Sequence, residues 1–152
     1  MASIIDFSAN WSYYTIPAAF VVLMVPHFYG NMLAGKHYDL ANPRKMEEHL
    51  AKDDKFDKLM FKRIQRAKAA VANGFETIGL FAAGVVAANA AGAPADKINR
   101  FALGHLVCRA VFNLIYVWLQ DNSRWAPLRS LTWITSMVCV LGLFVVAGNA
   151  VY

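Results

Sequence analysis

Between Trp11 and Gly35, and again between Leu131 and Tyr152, the chain carries no Lys, Arg, Asp or Glu. Segments of that length cross the roughly 30 Å hydrocarbon core of a bilayer as helices. A helix satisfies every backbone N–H and C=O within itself, which lipid requires because it offers no hydrogen bonds. A helix of a water-soluble bundle would show a polar outer stripe, and neither segment has one. Composition agrees: hydrophobic residues make up 58% of the chain and charged residues 16%, too little charge to cover a water-facing surface.

The pattern predicts an all-α membrane protein, a four-transmembrane-helix bundle in one domain over residues 1–152. The spans fall at about residues 11–35, 59–91, 98–120 and 128–152, with the main aqueous loop at 36–58. Trp11, Tyr13 and Tyr14 at one end of the first span, and Phe28 and Tyr29 near the other, suit the interfacial belts. Pro26 predicts a kink. Asn42-Pro43 marks a turn from which residues 43–50 can start a short surface helix. Gly92 and Pro94 stop the second span, Asp96 is placed to cap the third, and Pro127 suits the first turn of the fourth. Residues 1–11 have no basic n-region and no clear cleavage site, so the first span is expected to be retained.

The formal charge of +5 would suggest nucleic acid in a soluble protein, but ten of the fifteen Lys and Arg residues lie between Lys36 and Lys68, beside the spans. That distribution reads as topology and places the main loop on the cytoplasmic side, with no nucleic-acid partner. Cys108 and Cys139 lie in apolar segments and form neither a disulfide framework nor a metal set, and no His, Cys, Asp or Glu spacing calls for a metal. Four spans without an inverted repeat argue against a transporter.

The informative residues are the polar ones inside the spans. Glu76 lies ten residues beyond Arg66, about 15 Å along a helix, and Arg109 lies eleven before Gln120, about 16 Å from the same membrane face. An unpaired carboxylate or guanidinium at that depth is expensive, so a Glu76–Arg109 pair is the first expectation. Asn73 shares a helical face with Glu76, Asn113 shares one with Arg109, and Arg66 and Tyr116 extend these faces toward the aqueous end. The set either lines one polar cavity opening toward the basic loop or forms a structural network that fixes helix packing. His105 reads as a hydrogen-bonded packing residue and His27 as a local polar contact, while the small residues of FAAGVVAANAAG suit close helix packing. Arg129 and Ser130 stand at the start of the fourth helix, where unpaired N–H groups favour an anion or thiolate, although Arg124 and Arg129 also suit simple flanking charges.

These residues resemble the MAPEG family, the membrane-associated proteins in eicosanoid and glutathione metabolism. Arg66-x6-Asn73-x2-Glu76 is similar to the family's second-helix pattern and Arg109-x6-Tyr116 to its third. Pro127-Leu128-Arg129-Ser130 followed by Trp133 is similar to the start of its fourth, and the likeness runs from about residue 11 to residue 147. The resemblance implies a homotrimer in the endoplasmic reticulum or a related endomembrane, with glutathione held between neighbouring subunits. Carried over by residue, it implies that Arg66, Asn73, Glu76, Arg109 and Tyr116 hold glutathione, with Arg129 or Ser130 nearest its sulfur, and Asn113, on the face of Arg109, is expected to join the binding residues. The chain departs from the family at Ala69, Val71 and Ala72, where the eicosanoid enzymes carry more basic or polar positions. It departs again in a longer interval from Tyr116 to Arg129, and in Trp133, where a Tyr is common.

The expected activity is that of a membrane-embedded glutathione transferase acting on a small lipophilic electrophile that enters from the bilayer. Arg129, Ser130 and Tyr116 would carry the chemistry. Two alternatives stand beside it. One is a glutathione-independent isomerase or cyclase using Glu76 as acid or base with Arg109 tuning it, and the other is a non-enzymatic binding or regulatory protein.

Overall fold

The computed structural model describes residues 9–152, so most of residues 1–11, read as lacking a cleaved leader, lies outside the described residues. A 3-10 turn, Ser12–Tyr14, leads into α1, Thr15–Ala34, which ends where Gly35 adopts a positive φ of 52°. Pro26 is buried within α1, and the helix runs unbroken through it. The charged loop carries a 3-10 turn, Pro43–Lys45, and the short α2, Met46–Lys52, as its Asn-Pro start suggests. Then follow α3, Lys58–Ala90, and α4, Ala95–Leu114, continued by a π-wound turn, Ile115–Leu119. A further 3-10 turn, Ser123–Trp125, leads into α5, Ala126–Val151, with Pro127 in its first turn.

Four of these segments are long and apolar enough to cross a membrane, within one to five residues of the expected limits. The outer faces of α1 and α5 present Val21, Phe28, Leu131, Val138 and Val145 to the surroundings. A solvated bundle would expose charge there, so lipid is the medium that matches these faces. One expected cap differs. Pro94 takes the N-cap position of α4 with no side-chain bond, and Asp96 lies inside the first turn, 3.9 Å from Arg100. The helix begins three residues before the apolar run that marks the expected span, so Asp96 acts on the N-terminal dipole from within.

In cross-section the helices run in the order α1, α3, α5, α4, each packed on its neighbours. At the end holding the α3–α4 turn, Phe81, Val85, Ile98, Val140 and Leu143 fill the centre. At the other end, Met46 and Leu50 of α2 pack against Ala34 and Ile64, tying the charged loop to α1 and α3. Between them, Ala67, Ala70, Phe112 and Val117 join α3 to α4 and set the wall on which the polar residues stand. His105 is buried against Phe81, ring centroids 4.1 Å apart, and its Nδ1 lies 2.9 Å from the Ser136 hydroxyl, in keeping with a packing role. His27 likewise lies 3.0 Å from Asn31.

Glycine matters most where α1 approaches α3. A Cβ on Gly74 would lie 2.9 Å from the Leu23 Cβ, closer than packed carbons tolerate, whereas one on Gly148 meets nothing within 4 Å. Gly74→Val should therefore lower stability by about 1–3 kcal/mol through overpacking. Gly148→Ala should leave it unchanged or slightly raised. Thermal unfolding of the two variants in detergent checks the difference.

Candidate functional site

Along α3, residues 66, 69, 73 and 76 recur at intervals of three and four, which puts them on one helical face. Below Arg66 this face borders a cleft of about 660 Å³ between α3, α4 and α5. Ala69, Ala72, Asn73 and Glu76 form its α3 wall, Phe112 and Tyr116 its α4 wall, and Arg129, Ser130, Trp133 and Ile134 its α5 wall. Its size lies within the range of small-molecule sites. Five residues singled out from the sequence, Asn73, Glu76, Tyr116, Arg129 and Ser130, are thus brought together.

Three others stand elsewhere. Arg109 is 4% exposed and lies behind the cleft wall, its Nη1 donating to the Asn73 Oδ1 at 2.7 Å and its guanidinium 4.7 Å from the Phe112 ring centroid. Asn113 turns toward α1, where its Nδ2 donates to the Val22 carbonyl at 2.9 Å, and it lines a separate apolar groove. Arg66, one turn from Ala69, is held by the Asp121 carboxylate and donates to the Val117 carbonyl at 3.4 Å.

The expected Glu76–Arg109 pair is not formed. The two residues have matching depths, but the bundle interior lies on the Asn73 side of α3. Arg109 therefore meets Asn73, while Glu76 points outward into the cleft with no ion pair or hydrogen bond among the described residues. Nη2 of Arg109 has no partner among the described residues either. Among the described residues, the positive charge in the interior is consequently met by the Asn73 amide oxygen and the Phe112 ring alone.

Arg129 enters the cleft from the first turn of α5 and lies over the Tyr116 ring, 4.5 Å from its centroid. It forms no ion pair among the described residues, so its charge is available to an anion there. The N–H groups at the start of α5, which Pro127 initiates, add a favourable field for negative charge. On the α3 side the free Glu76 carboxylate suits a cation or an ammonium group. With its oxygen taken by Arg109, Asn73 is left with its NH2 as the free donor. Among the described residues no cluster of His, Cys, Asp or Glu can hold a metal ion.

Sequence reasoning missed Phe112 and Ile134, each four positions from a singled-out residue and so on the same helical face, while Trp133, noted there only within the fourth-helix pattern, lies four beyond Arg129 and shares its face. It also missed Asp121, the sole acid between Gln120 and Pro127, a loop on the same side of the membrane as Arg63 and Arg66.

A family model described as the MAPEG family matches residues 13–149. No curated protein and no solved structure matches the chain.

Because Asn73 is the only hydrogen-bond acceptor of Arg109 among the described residues, Asn73→Leu should destabilise the protein by about 2–4 kcal/mol, the cost of orphaning a buried charge. Asn73→Asp, which keeps an acceptor and adds a counter-charge, should unfold within a few degrees of the parent protein. Melting of both variants in the same detergent separates this pattern from equal loss in the two.

Proposed function

The chain belongs to the MAPEG family, and on that premise we propose that it is a glutathione-dependent transferase whose cleft between α3, α4 and α5 binds glutathione and a lipophilic electrophile side by side. The observation that carries this proposal is that Arg129, at the N-terminus of α5, and Glu76, both without an ion pair among the described residues, face the same cleft.

The donor set fits the tripeptide in two of its parts. Glu76 supplies a carboxylate for an ammonium, and Arg129 and Ser130 supply a cation and a hydroxyl for the sulfur. The fit is weaker for the tripeptide's two carboxylates. Ala69 and Ala72 bring no charge to that wall, and Arg66 is already paired. Bound in this cleft, glutathione would supply a sulfur nucleophile.

The chain's own residues have three tasks. Arg129 offsets negative charge on the sulfur. Moving a thiol from about 8.5 toward neutrality takes about 2 kcal/mol, within reach of a guanidinium reinforced by a helix N-terminus. Ser130 and Tyr116 donate hydrogen bonds to the same region, and the Tyr116 ring holds the Arg129 guanidinium in place. Trp133 and Ile134 give the cleft its apolar flank, suited to a lipophilic partner arriving from the bilayer.

A homotrimer in an endomembrane such as the endoplasmic reticulum completes the proposal. Glu76 and Phe75 lie on the outside of a helix at membrane depth, with small residues at Ala72, Gly79 and Ala83 on the exposed surface. Neighbouring copies packed there would remove the carboxylate from lipid and close the cleft. The glutathione-independent isomerase is less well supported, because Arg109 lies outside the cleft and cannot directly tune Glu76.

Calorimetric titration of the detergent-purified protein with glutathione should give saturable binding in the millimolar range or tighter. Arg129→Ala should weaken it roughly tenfold or more, the loss of one charge-assisted contact, and native mass spectrometry should show three copies. Absence of binding at millimolar glutathione, or binding indifferent to Arg129, would sink the proposal.

A further inference from the structure

One helical turn beyond Ala69, on the side of the cleft toward the charged loop (its mouth), stands an internal carboxylate. Asp121, in the loop between α4 and α5, directs one oxygen to Arg63 and the other to Arg66. Arg66 shares its helical face with Ala69, Asn73 and Glu76, all of which line the cleft. It is the nearest guanidinium above that wall on α3, and Asp121 occupies it.

The backbone is arranged to allow this. In the π-wound turn the Gln120 N–H bonds to the Ile115 carbonyl at 2.9 Å. Continued α-winding would direct the Asp121 N–H to the Val117 carbonyl. That carbonyl instead accepts from Arg66. Asp121 is also ionised at neutral pH: its hydrogen bonds to Arg63, and then to Arg66, hold its carboxyl below the ordinary 3.8. Arg63, Arg66 and Asp121 together present one net positive charge at the mouth where the two arginines alone would present two.

We propose that Asp121 is a specificity-determining residue of the cleft: by occupying Arg63 and Arg66 it disfavours ligands that carry a carboxylate at the mouth and favours those whose end there is uncharged. The proposal rests on the glutathione-binding role of the cleft and extends it to the charge of the preferred thiol ligand. A ligand carboxylate must displace Asp121 or share its arginines, whereas an amide or ester end meets no such competition. Asp121 is about one-third exposed at its side chain, so water and ligand can both reach the triad.

The test compares glutathione with its glycyl ethyl ester, which lacks the negative charge at one end. Calorimetry on the full-length purified protein at fixed low ionic strength gives an affinity ratio for each variant. Asp121→Asn should raise the ratio of glutathione to ester affinity roughly five- to tenfold, the effect of one partly exposed charge pair. Asp121→Glu should leave the ratio near the parent value, and adding Arg66→Met to Asp121→Asn should abolish the gain. A merely structural tie would change both affinities together and leave the ratio fixed. Arg63→Gln provides an independent arm should Asp121→Asn fail to fold: it leaves Asp121 to Arg66 alone and should lower the ratio. Glutathione binding by the parent protein with a ratio unmoved in these variants overturns the role of Asp121 alone. Binding of neither ligand by the parent or the variants overturns the glutathione role as well, and glutathione binding gained only in Asp121→Asn supports the role of Asp121 while overturning glutathione as the ligand of the parent protein.

Discussion

A guanidinium placed between membrane-spanning helices must find its acceptors within the protein, and Arg109 finds one in Asn73. That bond joins α4 to α3 at membrane depth and so ties down how the two helices are turned toward each other. With Asn73 drawn inward, the rest of its face is set: Glu76, three residues on, is left on the cleft side, and Ala69 and Ala72 complete the wall. Gly74 allows α1 to approach from behind, its absent side chain leaving room for Leu23 and for Arg109. One buried polar contact thus connects helix packing to the chemistry of the cleft.

The cleft is electrically uneven. Among the described residues, a cation at the start of α5 has no counter-ion and is held against an aromatic ring, and a carboxylate on α3 has no cation. At the mouth, by contrast, two guanidinia are already paired with Asp121. A ligand with an ammonium at one point and a polarisable, acidic thiol at another matches this pattern better than a polyanion does. Such a distribution accords with membership of a family tied to glutathione.

The spans were legible in the sequence because stretches without charge have one stable form in lipid, and Pro127 and the Asn42-Pro43 pair marked starts that the structure retains. Depth was legible too: counting residues from the membrane face brought Arg109 level with the Asn73–Glu76 turn. Direction was not. Residues three apart on a helix differ by about 60° around its axis, which is enough to put Asn73 toward the interior and Glu76 outside it. A spacing pattern alone contains nothing to say where the partner helix stands. Asn113 shows the same limit, sharing a face with Arg109 yet turning to a carbonyl of α1. Asp121 lay in a loop, where helical periodicity gives no orientation, and only the π-wound end of α4 brings it to Arg63 and Arg66.

If the free cation at the start of α5 is what makes the cleft a thiol site, its effect is visible on the sulfur itself. The direct measurement is the ultraviolet thiolate absorbance of protein-bound glutathione as a function of pH. Bound glutathione should titrate well below the ordinary thiol value of about 8.5, with the shift abolished when Arg129 is replaced by Leu. A bound thiol that titrates as it does free in solution, with or without Arg129, would contradict the assignment of this cleft.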